Sequence, residues 1–297
     1  MLFQINIGVS GNVFLLLFYS HVITSHKPSS SDLILTHLSL ANTITLLTRG
    51  IPDTLSLWGL RNFLDTSGCK ILMYLYRVGR GLTISTTCLL SIFQAVTISP
   101  GTSRWAGVKA KLPRWILPSF IIFWILNMLI EVNMLIVLIG PQNTGHAHTP
   151  QDLKYCFLVN TTTRANLILS TVLSLRDLFF MGLMSAASSY MVFVLHRHHR
   201  LVRHLHGPGR SPSVMPEVRA AKRVIALVTL YVLLYGRQTV MHSIILNMKK
   251  KLSLLMESHQ VLSFAFATIS PFLMIHSDRR MRKFWKRDSP ASNVELF

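Results

Sequence analysis

Residues 181–210 read MGLMSAASSYMVFVLHRHHRLVRHLHGPGR, and the change of character at Leu195 decides how the whole chain is read. Up to Leu195 the stretch carries no charge, and the apolar run reaches back to residue 167 with only Arg176 and Asp177 interrupting it. About 20 apolar residues in a helix cross the roughly 30 Å hydrocarbon core of a bilayer. Beyond Leu195, Arg197, Arg200 and Arg203 recur at near-helical spacing until Gly207-Pro208-Gly209 breaks the pattern. The stretch therefore reads as a membrane helix that leaves the bilayer with a basic stripe, suited to anionic inner-leaflet lipids. A metal site is disfavoured, because His196, His198, His199, His204 and His206 have no Cys or acidic partner nearby and the arginines repel a cation. A nucleic-acid grip is disfavoured too, since no aromatic residue follows Phe193 within the run.

The same window carried along the chain finds six further spans, for seven in all: 2–24, 32–57, 69–98, 115–139, 167–195, 224–246 and 254–275, with a tail at 276–297. Composition agrees. Half of the 297 residues are apolar and only 14% are charged, against roughly a quarter charged in an ordinary soluble domain. The connectors SHKPSSS (25–31), GPQNTGHAHTPQD (140–152) and HGPGRSPSVMPE (206–217) are rich in turn formers and breakers. There is no internal repeat and no stretch large enough for a separate soluble domain, so one membrane-embedded helical domain over 1–297 is expected. The first apolar run has no Lys or Arg ahead of it and is long for a signal peptide, so it is expected to stay as the first helix.

The net charge of +19 is unevenly distributed. Eighteen Lys and Arg fall in the first, third and fifth connectors and the tail, against seven in the others. Basic residues in short loops stay on the cytoplasmic side. The expected fold is an all-α membrane protein, a seven-transmembrane helix bundle with its N-terminus outside and its C-terminus cytoplasmic.

On that topology Cys69 and Cys156 both face an oxidising compartment, where a disulfide between them is chemically allowed; two unpaired thiols are the alternative. Cys88 falls mid-helix and reads as a small packed residue. Asn160-Thr161-Thr162 in the same outer loop is an N-glycosylation acceptor pattern.

Ionisable residues within spans are costly and mark a site or a relay facing the bundle interior. Here they are Arg49, Asp53, Arg77, Arg80, Glu131, Arg176, Asp177 and Arg237, nearly all in the outer half. A water-reachable outer vestibule accounts for that. So does structural pairing, with Arg49 and Asp53 at i,i+4 and Arg77 and Arg80 snorkelling to the interface. Candidate ligand contacts are Arg77, Glu131, Asp177 and Arg237. Catalytic chemistry has no support, as HExxH, GxSxG and Gly-rich phosphate loops are all missing from the sequence. No cofactor or metal is implied. Ser10-Gly11 reads as a point of close helix approach. A small-solute transporter or channel remains the alternative, though such folds often carry internal repeats.

Several stretches together resemble the vomeronasal type-1 receptors of mammals, a pheromone-receptor branch of the G protein-coupled receptors. They are Gly11-Asn12, LSLAN (38–42), RVGRGLTIST (77–86), RDLFFMGLMSAASSYMVFVLHRHHRLVRHLH (176–206), PEVRAAKRVIALVTLYVLLYGRQTVM (216–241) and SFAFATISPFLMIHSDRRMR (263–282). The resemblance implies a seven-helix plasma-membrane receptor on sensory neurons, activated by a small chemosignal and coupled to an inhibitory-type G protein. It also implies a Cys69–Cys156 bridge, a glycan at Asn160, and a G-protein or inner-leaflet face including Arg197, Arg200, Arg203, Arg219 and Lys222. The chain departs from the wider rhodopsin-like pattern. SIFQAVTISP (91–100) has no acidic-Arg-Tyr triplet, Asn42 stands where an Asp is usual, and SPFLM (270–274) lacks the Asn before Pro271.

Overall fold

A computed structural model describes residues 2–25, 29–60, 63–100, 106–139, 156–158, 163–206, 216–247, 261–278 and 280–281. In chain order the elements are α1 (Leu2–Ser25), α2 (Ser30–Leu57), α3 (Thr66–Ile98), α4 (Ala106–Glu131), the single turn α5 (Met134–Val137), β1 (Leu138–Ile139), β2 (Phe157–Leu158), α6 (Thr163–His206), α7 (Pro216–Asn247) and α8 (Ala265–Ser277). Without α5, seven helices of at least 13 residues form the bundle among the described residues. Four of them (α1, α3, α4 and α6) are long and apolar enough to cross a membrane by themselves. The others are more polar or shorter over their described lengths, and α2 turns Asp32, His37, Asn42 and Asp53 inward.

Burial sorts the helices. The apolar window of α3 is 72% buried and that of α4 only 11%, so α3 is the axis of the bundle and α4 a peripheral strut. Accordingly α3 contacts α2, α4, α6 and α7, while α1 and α7 both flank α8. The outward faces are apolar: Trp115, Ile121, Ile125 and Leu129 on α4 and Leu175, Phe179 and Phe193 on α6 are exposed. An apolar exterior around a polar interior suits lipid as solvent.

Two close approaches are set by glycine. A Cβ on Gly11 of α1 would lie 3.2 Å from the Pro271 ring of α8, and one on Gly79 of α3 would lie 2.8 Å from Thr45 Oγ1 of α2. Pro271 also removes the N–H that would bond to the carbonyl four residues earlier. That orphaned acceptor, Ala267 O, receives a hydrogen bond from Asn12 Nδ2 at 2.8 Å. Asn12 is thus fixed by the proline of another helix, and in turn Asn42 Nδ2 donates to Asn12 Oδ1 at 3.3 Å and to Ser270 Oγ at 3.0 Å.

Several boundaries differ from expectation. The fourth span does not run over 115–139: its helix begins nine residues earlier at Ala106 and stops at Glu131, after which the chain turns and forms β1. Apolar periodicity alone could not register that stop, because 132–139 is as apolar as the helix before it. Lys109, Lys111 and Arg114 consequently lie in α4 rather than in a loop. The fifth helix continues through the basic stripe to His206, and the sixth starts at Pro216, a residue suited to a first helical position because its N–H would be unbonded anyway. α8 begins at Ala265, and residues 248–260 lie outside the described set.

Candidate functional site

At the end of the bundle where α3 begins, Asp65 caps the helix by accepting from Gly68 N–H at 2.8 Å. One turn in, Cys69 is joined to Cys156 by a disulfide with Cα atoms 6.0 Å apart, both residues fully buried. Cys156 immediately precedes β2, which pairs antiparallel with β1, Leu138 opposite Leu158 and Ile139 opposite Phe157. The bridge and the strand pair together hold both described ends of the connector between α4 and α6 against α3. Asn160 lies outside the described residues.

Below this cap, α3, α4, α6 and α7 bring a set of charges together. Arg176 of α6 is the hub, with its side chain only 8% exposed. It donates to Glu131 Oε1 at 2.9 Å, to Asn127 Oδ1 at 3.3 Å and, through Nε, to Asp177 Oδ1 at 3.0 Å. Arg77 lies 3.7 Å from Glu131 and Arg80 3.6 Å from Asp177. The Tyr235 hydroxyl of α7 donates to the other Asp177 oxygen at 2.5 Å. Gly81 of α3 is required at this crossing, because a Cβ there would overlap the Asn127 side chain.

Three of the four expected contacts, Arg77, Glu131 and Asp177, therefore sit in one network. Arg237 does not join that cluster. It lies two residues past Tyr235, about 200° around a helix, and it is exposed. The interfacial snorkelling considered for Arg77 and Arg80 gives way to pairing with carboxylates of α4 and α6. Arg49 and Asp53 do pair along α2 at 3.4 Å, and the Arg49 guanidinium also stacks 4.7 Å from the Tyr76 ring centre.

Beside the network, α2, α3, α7 and α8 line a partly open cavity of about 40 Å³. Tyr76, Tyr231 and Phe266 give it aromatic walls, Arg80 and Tyr235 a polar side, and Asn42 and Thr83 a polar floor. Arg80 belongs to both features, lying 5.2 Å from the Tyr235 ring centre and paired with Asp177. The floor is tied onward, since Thr83 donates to Asn42 Oδ1 at 3.2 Å and Asn42 reaches Ser270 of α8. Sequence reasoning missed the tyrosines, because an uncharged aromatic in a membrane helix gives no signal of facing inward. The one available hint was that Tyr231 and Tyr235 are spaced i,i+4 on one face.

At the opposite end Arg197, Arg200 and Lys222 are exposed and Arg219 is half-buried. Arg203 continues the same helix, its side chain outside the described set.

Among the described residues, seven helices around a charged interior, capped at one end by a disulfide to the central helix, define a multi-pass membrane helix bundle. Residues 1–287 match the profile of the vomeronasal organ pheromone receptor family. Relatives include vomeronasal type-1 receptor 4 of Homo sapiens, 36% identical and covering 97% of both chains. Vomeronasal type-1 receptor 2 of Homo sapiens is 35% identical over 93% of this chain and 70% of its own. Olfactory receptor class A-like protein 1 of Danio rerio is 34% identical over 95% and 89%. The chain belongs to the vomeronasal organ pheromone receptor family, and is a multi-pass G protein-coupled chemosensory receptor of the plasma membrane.

Proposed function

We propose that the receptor binds a small chemosignal from the Cys69 side and signals through an inhibitory-type G protein at the opposite end. The N-terminus and the Asn160 loop are then extracellular and the tail cytoplasmic, as the Lys and Arg distribution requires. The observation that carries the reading is the cavity between α2, α3, α7 and α8, whose wall residue Arg80 is shared with the charge network. At about 40 Å³ it has room for little more than water, whereas small-molecule pockets span roughly 300–1,000 Å³. It is the closed form of a pocket, and a ligand must move Arg80 and Tyr235 off Asp177 to enlarge it. A ligand with an apolar body and one acceptor group would do so by taking over the Arg80 guanidinium. Such binding shifts the bundle only through unequal affinity for its two states. Arg77, Glu131 and Asp177 hold the wall in place, and Arg237 would contact ligand only at the rim. The exposed Arg197, Arg200 and Lys222, with Arg203 and Arg219, form the inner-leaflet or G-protein face. No catalytic role is assigned to any residue.

The reading is tested by screening chemosignal panels on cells that express the chain. A response should vanish when a toxin blocks inhibitory-type G proteins. Ligand-driven flux through reconstituted liposomes without a G protein would instead make the protein a transporter or channel. With an active ligand in hand, Arg80→Met should raise the half-maximal concentration about 10- to 100-fold, the worth of a hydrogen bond to a charged group, at unchanged surface display. An unchanged dose response would remove Arg80 from the ligand site. Asn160→Gln should increase mobility on a denaturing gel to the position reached by glycosidase treatment of the parent chain; equal mobility before and after treatment rules out the glycan.

A further inference from the structure

The end of the bundle opposite the cavity holds a second charge cluster that ligand recognition does not use. Asp32, in the first turn of α2, is 2% exposed, and Arg280, just beyond α8, donates to both of its carboxylate oxygens at 2.6 and 3.1 Å. The same Arg280 donates its backbone N–H to Asp278 at 2.9 Å and a guanidinium N–H at 3.1 Å. Asp278 itself is 4% exposed. One arginine thus fastens the end of α8 to the start of α2. Burial alone would raise the Asp278 carboxyl, but the Arg280 hydrogen bonds, with the charge of Arg223 added, hold it below the usual carboxylate range.

Stability is a poor reason for such a cluster, since the desolvation of buried charges roughly offsets their attraction. The cluster is also incompletely satisfied. Among the described residues, the Tyr19 hydroxyl of α1 and Nε of Arg223 of α7 are both buried without a hydrogen-bond partner, and both lie within electrostatic reach of Asp278. A buried polar group left without its bond is costly. Of the two, Arg223 carries the positive charge that Asp278 would need once Arg280 has left. The half-exposed guanidinium of Arg280 can leave toward water, its side chain being 47% accessible.

We propose that Arg280 is a latch that holds the resting receptor by bridging Asp32 and Asp278, and that Arg223 takes over Asp278 when α7 and α8 shift on activation. The latch supplies an ionic switch to a chain whose third helix ends SIFQAVTISP without an acidic-Arg-Tyr triplet. It couples to the cavity through α8, whose Ser270 holds Asn42 on the cavity floor.

The inference rests on the receptor reading for one readout, G-protein activation, so a second readout without a G protein accompanies it. In purified receptor in lipid nanodiscs, a fluorophore on Lys222→Cys reports the environment of the exposed face of α7. Asp32→Asn and Arg280→Gln are each expected to raise ligand-independent nucleotide exchange roughly fivefold at matched surface display, the low end of ordinary coupling energies. Both should also shift the probe emission. The exchanged pair Asp32→Arg with Arg280→Asp should return both readouts toward the parent, and Arg223→Gln should at least halve the maximal response without raising basal exchange. Parent-like basal exchange and emission in Asp32→Asn and Arg280→Gln overturn the latch. Should Arg280→Gln fail to fold, Arg280→Lys keeps the charge and loses the two-pronged contact, and parent-like readouts in it are equally fatal. If no G protein responds to the parent chain, the receptor reading fails and the emission alone decides the latch.

Discussion

Glu131→Gln should be among the most damaging single changes in the bundle, with a loss of about 3–5 kcal/mol and a fall in apparent melting temperature of roughly 10 °C. Glu131 is 2% exposed and receives Arg176 at 2.9 Å and Arg77 at 3.7 Å. Neutralising it leaves Arg77, Arg80 and the buried Arg176 facing the single carboxylate of Asp177. Arg176→Gln should be similarly harmful, because both carboxylates lose their closest cation. The double variant should cost clearly less than the sum of the two, since neither buried charge is then orphaned. The measurement is a double-mutant cycle on detergent-solubilised receptor, with surface display recorded beside it. Strict additivity would mean that the Glu131–Arg176 contact contributes nothing specific, and the network would then be a set of independent solvated charges.

Loss of the disulfide should rank with it. Cys69→Ser or Cys156→Ser removes a link between residues 87 apart in sequence, which in a free chain stabilises by roughly 4–5 kcal/mol. The bilayer already restricts α3 and α4 when the bundle is disordered, so the thermodynamic loss should fall toward the lower part of the usual 2–5 kcal/mol range. The local consequence is larger than that figure suggests. Without the bridge, the described residues around Cys156 are left with the short β1–β2 pair and the apolar cluster that includes Met73 and Tyr76, and a two-stranded pair is marginal alone. Surface display should fall several-fold and the ligand response with it. Both single variants and the double should behave alike, because each breaks the same bond. If Cys69→Ser displays and responds as the parent does, the bridge is dispensable.

The two sites divide the work of the bundle. Near the Cys69 end, Arg80 and Tyr235 stand between cavity and network, so a ligand bound as proposed would change which partner Asp177 keeps. Farther along, Asn12, Asn42, Thr83 and Ser270 join α1, α2, α3 and α8 by neutral hydrogen bonds. Neutral amides and hydroxyls can exchange partners without exposing a buried charge. That suits a connection that must rearrange, whereas the Arg176 hub suits one that must stay.

Much of the architecture was legible in the sequence, and the reason is the solvent. A bilayer demands about 20 apolar residues per crossing, so the apolar runs and the basic stripe after Leu195 determined the number of helices and the membrane location, while the family followed from the resemblance of motifs such as RVGRGLTIST (77–86). The identity of the ionisable residues within spans also pointed toward Arg77, Glu131 and Asp177, because a charge in hydrocarbon must find a partner. What the sequence left undetermined was who that partner is. Arg80 pairs with a residue 97 positions later, and Asp32 with one 248 positions later. The inward aim of Tyr76, Tyr231 and Tyr235 was hidden because lipid and protein interior are equally apolar. For the same reason the stop of α4 at Glu131 left no trace in the hydropathy that continues to Ile139. Hydropathy settles which segments enter the membrane, and only helix packing settles which face of each meets another helix.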